Sequence, residues 1–428
     1  MKKCFLACAC ALLSAFAAFP QVLTIGECVS LAREHYPSVA QYGILEKVAD
    51  LNLQNISRGW LPQGSVGAQI TWQNDVAVLP DVLTGILAQN GVDYPGMQKT
   101  QYRLGVDISQ QIWDGGRISA GKKSIEASRS VEKASLDVQL YDVEGRVEEI
   151  YFSLLLIQER IRRTDKTIEM VDSTLRQVKA MLANGVAMQS DCDQIEAKLL
   201  TIEQQKSRLT ATYASVGKVL EILIGESIGE RTLQLPPADI DTASGYYSPR
   251  MNLFDSRLAN LSAAESGVRS SVMPTIGAFI SGYYGYPGYN MFKNMQSHDM
   301  SFNFMAGLKV AWNFGSLYTR KNTLDCLELQ RNQIETERAT FNFNNDMAIS
   351  EGMGQITALR DVMRNDGKIV ELRRSVMKAA GSQLRNGIID ATALLTKITD
   401  VELAENDLAQ HRIELVKAIY NLNHIKNK

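Results

Sequence analysis

Four segments of the chain alternate between apolar and polar residues in the manner of β-strands. They run over about 63–73 and 101–113, and over about 274–286 and 300–313. A period of two with one apolar side predicts a strand, and about ten to twelve residues is the length that a tilted strand needs to cross a bilayer. Alternation is equally typical of half-buried strands in a soluble sandwich, so the pattern alone leaves both alternatives open.

Each pair of strands is followed by apolar residues at every seventh position, which predicts long helices packed as coiled coils. Two helical hairpins are expected, over 115–225 and 316–426, with turns at Asn184-Gly185 and Asn386-Gly387. In the first helix of the first hairpin the two rows are Leu136, Val143, Ile150, Ile157, Thr164, Val171 and Val178, and Leu140, Val147, Leu154, Ile161, Ile168, Leu175 and Leu182. Sustained seven-residue spacing predicts a left-handed supercoil.

The corresponding row in the second hairpin is less regular, because Gln355 and Gln383 interrupt it. Its positions are assigned to Leu327, Ile334, Phe341, Ala348, Val362, Ile369 and Val376. The prediction for this helix is therefore the same seam with two polar interruptions.

The order of landmarks indicates an internal duplication. Pro37 and Pro62 reappear as Pro249 and Pro274, each displaced by 212 residues, and the Asn-Gly turns recur at a similar spacing. Fixed spacing of this kind places equivalent elements twice in one chain. We expect a first repeat over 21–235 that opens with a helix around Ala32–Pro37. A second repeat over 236–428 opens with a helix at about 249–272.

Glycine-containing segments link the strands to the long helices. In Trp113-Asp114-Gly115-Gly116 the aspartate can cap a helix N-terminus, and the glycines permit backbone angles closed to other residues. Trp312, Asn313 and Gly315 occupy the matching place in the second repeat. We predict a strand-to-helix junction at each position.

Residues 1–20 are typical of a cleaved signal peptide, with Lys2 and Lys3 before an apolar stretch and a small-residue site at Ala15-x-Ala17. After it there is no apolar run long enough for a transmembrane helix. An exported chain of this kind is periplasmic, secreted or a transmembrane β-barrel.

Composition excludes several other classes of protein. A formal net charge of −2 over 428 residues argues against nucleic-acid binding. Cys28, Cys192 and Cys326 are too far apart for a disulfide framework, and the histidines lack metal-ligand spacing. With no phosphate loop or nucleophile motif, the sequence predicts neither an enzyme nor a cofactor.

The combination of export signal, glycine junction, two glycine-turn hairpins and duplication resembles the TolC-type outer-membrane efflux protein family. The resemblance implies a mixed α/β membrane protein with four transmembrane β-strands per chain. Three chains would complete a twelve-stranded barrel, which removes the unpaired strand edges from lipid, and their helices would form a periplasmic α-barrel. It implies an outer-membrane channel of a tripartite efflux or type I secretion system.

The resemblance also implies partners: a homotrimer, a periplasmic adaptor protein, an inner-membrane pump of the resistance-nodulation-division or ABC type reached through the adaptor, and outer-membrane lipid. The hairpin tips would then dock the adaptor and form the periplasmic entrance. The residues concerned are Asn184, Gly185, Asp191, Asn386, Gly387 and Asp390.

The second tip departs from the family pattern. The family's acidic-ring positions hold Ala393 and Thr396, and the tyrosine and arginine partners of the closed gate are replaced by Leu384 and Ile389. The resemblance therefore implies neither an acidic ring nor the usual gate lock at these positions. Asp193 and Asp390 are the acids left to substitute for them, and the alternative is that both are solvated acids at a helix start.

Two other classes remain as alternatives. A periplasmic adaptor, or membrane fusion protein, also carries a long helical hairpin, but ordinarily one hairpin between small β-domains. An exported coiled-coil scaffold would account for the heptads but not for the four strands.

Overall fold

The computed structural model describes residues 22–229, 231–238 and 248–426. The predicted signal peptide, 1–20, lies outside the described residues. The helices are α1 Ile25–His35, α2 Ala40–Ser57, α3 Asp81–Gln89, α4 Arg117–Ala183, α5 Gln189–Ile224, α6 Pro249–Ser271, α7 Met291–Gln296, α8 Gly315–Arg385 and α9 Ala391–Ile425. The strands are β1 Gln63–Trp72, β2 Thr100–Trp113, β3 Thr275–Tyr286 and β4 Ser301–Ala311.

The four strands form one antiparallel sheet in the order β1-β2-β3-β4. Each strand lies within two residues of the segment in which the sequence alternates. The pairing of β2 with β3 joins the two repeats, with Val106 opposite Gly282 and Asp107 opposite Ser281. The prediction of four strands is confirmed.

The chain divides into two compact units. The sheet unit comprises residues 43–133 and 254–336, and it contains all four strands with α3 and α7. The helical unit comprises the described residues up to Tyr42, 134–253 and 337 onward. Most of both hairpins belongs to the helical unit.

Apolar side chains from α1, α4, α5 and α9 form the largest core of the helical unit. A short parallel bridge between Leu23 and Leu233 closes one side of this core. The Tyr151 hydroxyl lies 2.8 Å from the Leu23 carbonyl oxygen and 2.7 Å from that of Gln234, so it ties both segments to α4. A second core lies between the ends of the hairpins.

Both predicted rows of α4 form a packed seam: Leu136, Leu140, Val147, Leu154, Val171, Leu175 and Val178 are all buried. The row predicted for the second half of α8 is wrong, because Val362, Ile369 and Val376 are exposed. The buried or partly buried seam there is offset by one residue, and it comprises Ile349, Ile356, Met363, Val370, Met377 and Leu384. A helix turns every 3.6 residues, so a strict row of sevens drifts and a one-residue shift restores the seam.

The loops that follow β1 and β3 contain helices that the sequence did not predict. The turn residues of Pro80 to Gly96 and of the segment after Tyr286 are typical of loops, yet the first segment contains α3 and the second contains α7. Short helices within turn-rich segments carry too few residues for a clear period.

No helix in the described part of the chain combines the length and the apolar character needed to span a membrane.

Candidate functional site

The sheet has one apolar side and one polar side. Residues that are paired directly opposite each other on neighbouring strands lie on the same side of the sheet. The register therefore places the apolar residues of all four strands on one side. The apolar side presents exposed Val66, Ile70, Trp72, Leu104, Val106, Ile108, Ile280, Tyr284, Phe302, Phe304, Leu308 and Val310. The other side carries Ser65, Gln69, Thr71, Arg103, Asp107, Ser281, Tyr283, Asn303 and Lys309, with Phe279 and Met305 among them. Such a sheet has an apolar surface to cover and a polar surface to keep hydrated.

A polar network links four residues on the polar side of the sheet. The Arg103 guanidinium lies 4.4 Å from the centre of the Tyr283 ring and 3.4 Å from the Ser281 hydroxyl. Ser281 in turn donates a hydrogen bond of 2.5 Å to the Asp107 carboxylate. Ser281 on β3 therefore links the charges of Arg103 and Asp107, which both lie on β2.

Asp114 shapes the junction between β2 and α4. Its carboxylate is buried and accepts hydrogen bonds from the backbone N–H groups of Gly116, at 2.8 Å, and Ile118, at 2.6 Å. Gly115 has a φ of 69°, and a Cβ there would lie 2.5 Å from the Met273 Cβ. Glycine is thus required both by the backbone angle and by the close approach of the next repeat.

The second junction has a similar arrangement, with one capping hydrogen bond instead of two. The Asn313 side-chain oxygen accepts a hydrogen bond from the Gly315 N–H at 3.0 Å, and Trp312 donates from its indole N–H to the Val272 carbonyl at 3.0 Å. Gly315 begins α8 directly. The predicted junction residues therefore extend from Trp113, the last residue of β2, to the start of α4, and from the end of β4 to Gly315, the first residue of α8.

The two hairpin tips have the same backbone geometry. Gly185 and Gly387 have φ values of 73° and 68°, and each follows an asparagine at the end of a long helix. The N–H of the residue after each glycine, Val186 or Ile388, bonds back to the last helical turn at 2.9 Å. These are glycine C-caps with paired hydrogen bonds, as expected for a Schellman motif.

The predicted tip acids act as helix caps in this geometry. The Asp191 carboxylate accepts a hydrogen bond from the Met188 N–H at 3.0 Å, and that of Asp390 accepts one from the Ala393 N–H at 2.8 Å. Met188 is the N-cap residue of α5. Both carboxylates therefore stabilise a helix start at their respective tips.

The tips pack against each other in the helical unit. Leu384 is buried in their shared core, and Ile389 packs against it. Three apolar residues remain exposed at the turns, namely Val186, Met188 and Ile388. Sequence reasoning missed them, although an apolar residue beside a glycine turn is a recognisable signal for a contact surface.

A cluster of titratable side chains lies where α4 meets the end of α9. The Glu148 carboxylate is 3.6 Å from His424 Nδ1, and the Tyr141 ring stacks on the imidazole with a centroid distance of 4.0 Å. Burial, and then repulsion from Glu144, raises the pKa of Glu148 to about 7. Burial lowers the pKa of His424, although Asp142 opposes this. Arg33 pairs with Glu144 at 3.1 Å, and Arg250 pairs with Asp142 at 3.2 Å.

Comparison with known proteins gives a family match over part of the chain and several solved structures with a similar fold. Residues 28–226 match the model of the outer membrane efflux protein family. Comparison with curated protein sequences found no match.

Several solved structures have the same fold. The outer membrane protein VceC from Vibrio cholerae has a TM-score of 0.65 at 12% identity, covering 94% of this chain and 95% of that chain. The open state of the MtrE outer membrane channel of Neisseria gonorrhoeae has a TM-score of 0.65 at 13% identity, covering 94% and 88%. The CmeC outer membrane channel of Campylobacter jejuni has a TM-score of 0.65 at 12% identity, covering 94% and 85%.

Proposed function

We propose that this chain, a TolC-type outer membrane efflux protein whose family match covers residues 28–226, is a passive exit duct of a tripartite efflux or type I secretion system. The family is one of channels rather than enzymes, so the driving energy comes from elsewhere. In this proposal an inner-membrane pump of the resistance-nodulation-division or ABC type supplies it through a periplasmic adaptor.

The observation that carries the proposal is the two-sided sheet with two unpaired edges. In the described part of the chain β1 pairs only with β2, and β4 pairs only with β3. Open edges are not stable in the hydrocarbon region of a membrane, because their backbone groups have no hydrogen-bond partners there. Three copies joined from β4 to β1 close a barrel of twelve strands, with the apolar side towards lipid and the polar side towards the channel.

The same arrangement gives the helical hairpins their role. Each chain contributes two hairpins, so a trimer has six tips around the periplasmic end of the duct. Val186, Met188 and Ile388 form an exposed apolar rim there, which suits docking of the adaptor. Asn184, Gly185, Asp191, Asn386, Gly387 and Asp390 shape that rim through their caps.

Oligomer mass in the correct cell fraction tests the proposal. Cells that express the full chain are fractionated, the outer membrane is extracted in mild detergent, and the mass of the protein is measured by light scattering. We expect a trimer in the outer-membrane fraction. A soluble monomer in the periplasmic fraction would overturn the duct and favour an adaptor or a scaffold.

A further inference from the structure

A cavity of about 330 Å³ lies in the helical unit, between the middle parts of α4 and α9 and the segment 231–238. Its apolar lining comprises Leu155, Leu233, Leu235, Leu408, Ala409 and Ile413. Leu155, Leu233 and Ile413 belong to the largest core of the unit, so the cavity reaches the edge of that core. A cavity of this volume is large enough to hold a small organic molecule.

The charged part of the lining is mainly positive. Arg162, Arg163 and Arg412 line the cavity, and Glu159 is the acid that lines it with them. The Arg163 side chain is only 17% exposed, whereas that of Arg162 is 59% exposed and Arg412 is exposed as well. One guanidinium is therefore largely enclosed by the protein, and the other two are accessible to a ligand that enters from solvent.

Two carboxylates are shared among the arginines around this cavity. Arg162 donates two hydrogen bonds to Glu159, at 2.8 and 2.7 Å, and so occupies both oxygens of that carboxylate. Arg163 Nε lies 2.9 Å from Glu159 Oε1, but in the described part of the chain this buried N–H has no hydrogen-bond acceptor. The Nη1 atom of Arg163 lies 3.3 Å from Glu405, which also accepts a hydrogen bond of 2.7 Å from Arg374. Neither glutamate is therefore reserved for a single arginine.

Arg412 adds a positive charge that no acid offsets. Its side chain forms neither an ion pair nor a hydrogen bond with any residue that the structure describes. Glu159 is ionised at neutral pH, because burial would raise its pKa but hydrogen bonds from Arg162 and the charge of Arg163 lower it. With Arg374 included, four arginines share two glutamates. A cleft with an excess of one charge attracts a ligand of the opposite charge.

We propose that this cavity binds a small amphiphilic anion, whose apolar body packs among the leucines and whose carboxylate or sulfonate group bonds to Arg412 and Arg162. Guanidinium groups suit such an anion, because their planar fork presents paired N–H donors to two oxygens. An inorganic anion such as phosphate would leave the apolar lining in contact with water, so an anion with an apolar body is favoured. The site lies wholly in the helical unit and does not depend on the role of the sheet as a barrel.

Fluorine NMR of a small probe tests the proposal. Para-trifluoromethylbenzoate is titrated against the purified full-length protein in a mild nonionic detergent, and broadening of its fluorine signal measures binding. Para-trifluoromethylbenzamide has the same apolar body without a charge, and para-trifluoromethylbenzylammonium carries the opposite charge. Detergent micelles without protein give the background. A nonionic detergent suits a membrane-bound or a soluble chain, so failure of the exit duct would not by itself affect this measurement.

We expect the benzoate to be broadened well beyond the benzamide and the benzylammonium. Arg412→Gln should raise the Kd of the benzoate about fivefold, because it removes a charge-assisted hydrogen bond that is partly screened by solvent. Arg412→Lys, which keeps the charge and loses the planar fork, should retain part of the affinity. Arg364→Gln is the matched control and should leave the Kd unchanged, because Arg364 is 77% exposed and lies outside the cavity.

Three results would overturn the inference. Equal broadening of the benzoate and the benzamide would mean that the cavity takes an apolar body without reading its charge. An unchanged Kd in Arg412→Gln would mean that the benzoate binds elsewhere. Broadening no greater than that in empty micelles would mean that the cavity is closed to such an anion, for example by a second copy of the chain. Thermal unfolding of each variant, expected to match the wild type, excludes loss of folding as the cause of a raised Kd.

Discussion

Glu148 is a buried acid whose ionisation should destabilise the folded protein. Its side chain is only 16% exposed, and its pKa is raised from 4.5 to about 7 by burial and by Glu144. The folded state therefore holds this proton more tightly than the unfolded state does. The resulting stability is fully present below pH 4.5 and is lost as the pH rises through 7.

The magnitude follows from the shift in pKa. Each unit of difference corresponds to about 1.4 kcal/mol, so the full shift corresponds to about 3 kcal/mol of destabilisation at pH 8. Glu148→Gln keeps the shape of the protonated acid and cannot ionise. We expect the variant to match the wild type near pH 4.5 and to be more stable at pH 8 by up to about 3 kcal/mol per chain.

Thermal unfolding of the detergent-solubilised protein measures this difference. With an unfolding entropy of about 2 cal/mol/K per residue, the variant should unfold about 3–4 °C higher than the wild type at pH 8. Burial lowers the pKa of His424, so protonation of His424 destabilises the folded protein as the pH falls below 6.5. This histidine is present in both proteins. The stability difference at pH 8, where His424 is neutral in the folded and the unfolded state of both proteins, therefore reports on Glu148.

Glu149→Gln is the matched control, because Glu149 is adjacent on the same helix and 69% exposed. Loss of this exposed carboxylate should change the free energy of unfolding by less than about 1 kcal/mol at either pH. The assignment of Glu148 as a buried carboxyl that stays protonated would be refuted in two cases. One is an increase in unfolding temperature of Glu148→Gln that is equal at pH 4.5 and pH 8, and the other is an increase that Glu149→Gln reproduces.

Three further predictions concern the junctions and the tips. Gly115→Ala should destabilise the protein by on the order of 2 kcal/mol, measured as a lower unfolding temperature, because it combines a strained backbone with a clash against the next repeat. Gly185→Pro and Gly387→Pro should impair export, measured as retention of a pumped dye, and leave the trimer assembled, because only a tip is disturbed. Ile388→Asp should weaken adaptor binding in a pull-down from the same membranes, because it puts a charge into the exposed apolar rim.

Each of these predictions has a control in the chain. Gly116→Ala shares the positive φ of its neighbour but meets nothing closer than 3.9 Å, so it should cost less than Gly115→Ala. Gly185→Ala keeps the backbone N–H that proline removes, and Thr396→Asp adds the same charge away from the apolar rim. Equal effects of the paired variants, or loss of the trimer in the tip variants, would contradict the geometry described for these sites.

Local pattern was sufficient to predict the strands and the turns. The alternation of apolar and polar residues around Val66 and Phe302 shows which side of each strand is apolar, so each strand can be predicted from its own residues. The glycines of the tips are likewise predictable, because a positive φ at the end of a helix favours glycine over other residues.

Features that depend on distant residues could not be predicted in this way. Glu148 and His424 are 276 residues apart, and nothing near either one indicates the other. The shift of the seam in α8 had a local signal, since Gln355 and Gln383 interrupt the row of sevens, but only the buried row beginning at Ile349 shows its direction. The apolar rim of the tips does have a local signal, since Val186, Met188 and Ile388 each lie within three residues of a tip glycine.

The shifted seam also determines how tightly α8 can wind around its neighbours. From Leu327 to Leu384 the seam advances 57 residues in sixteen turns, or about 3.56 residues per turn, which is closer to the 3.6 of a straight helix than to the 3.5 of a strict heptad. A coiled coil with that repeat has a longer superhelical pitch than a coiled coil with unbroken heptads, such as the seam of α4. The long helices of the two hairpins therefore prefer different degrees of supercoiling, and α8 is the one whose seam is nearer to that of a straight helix.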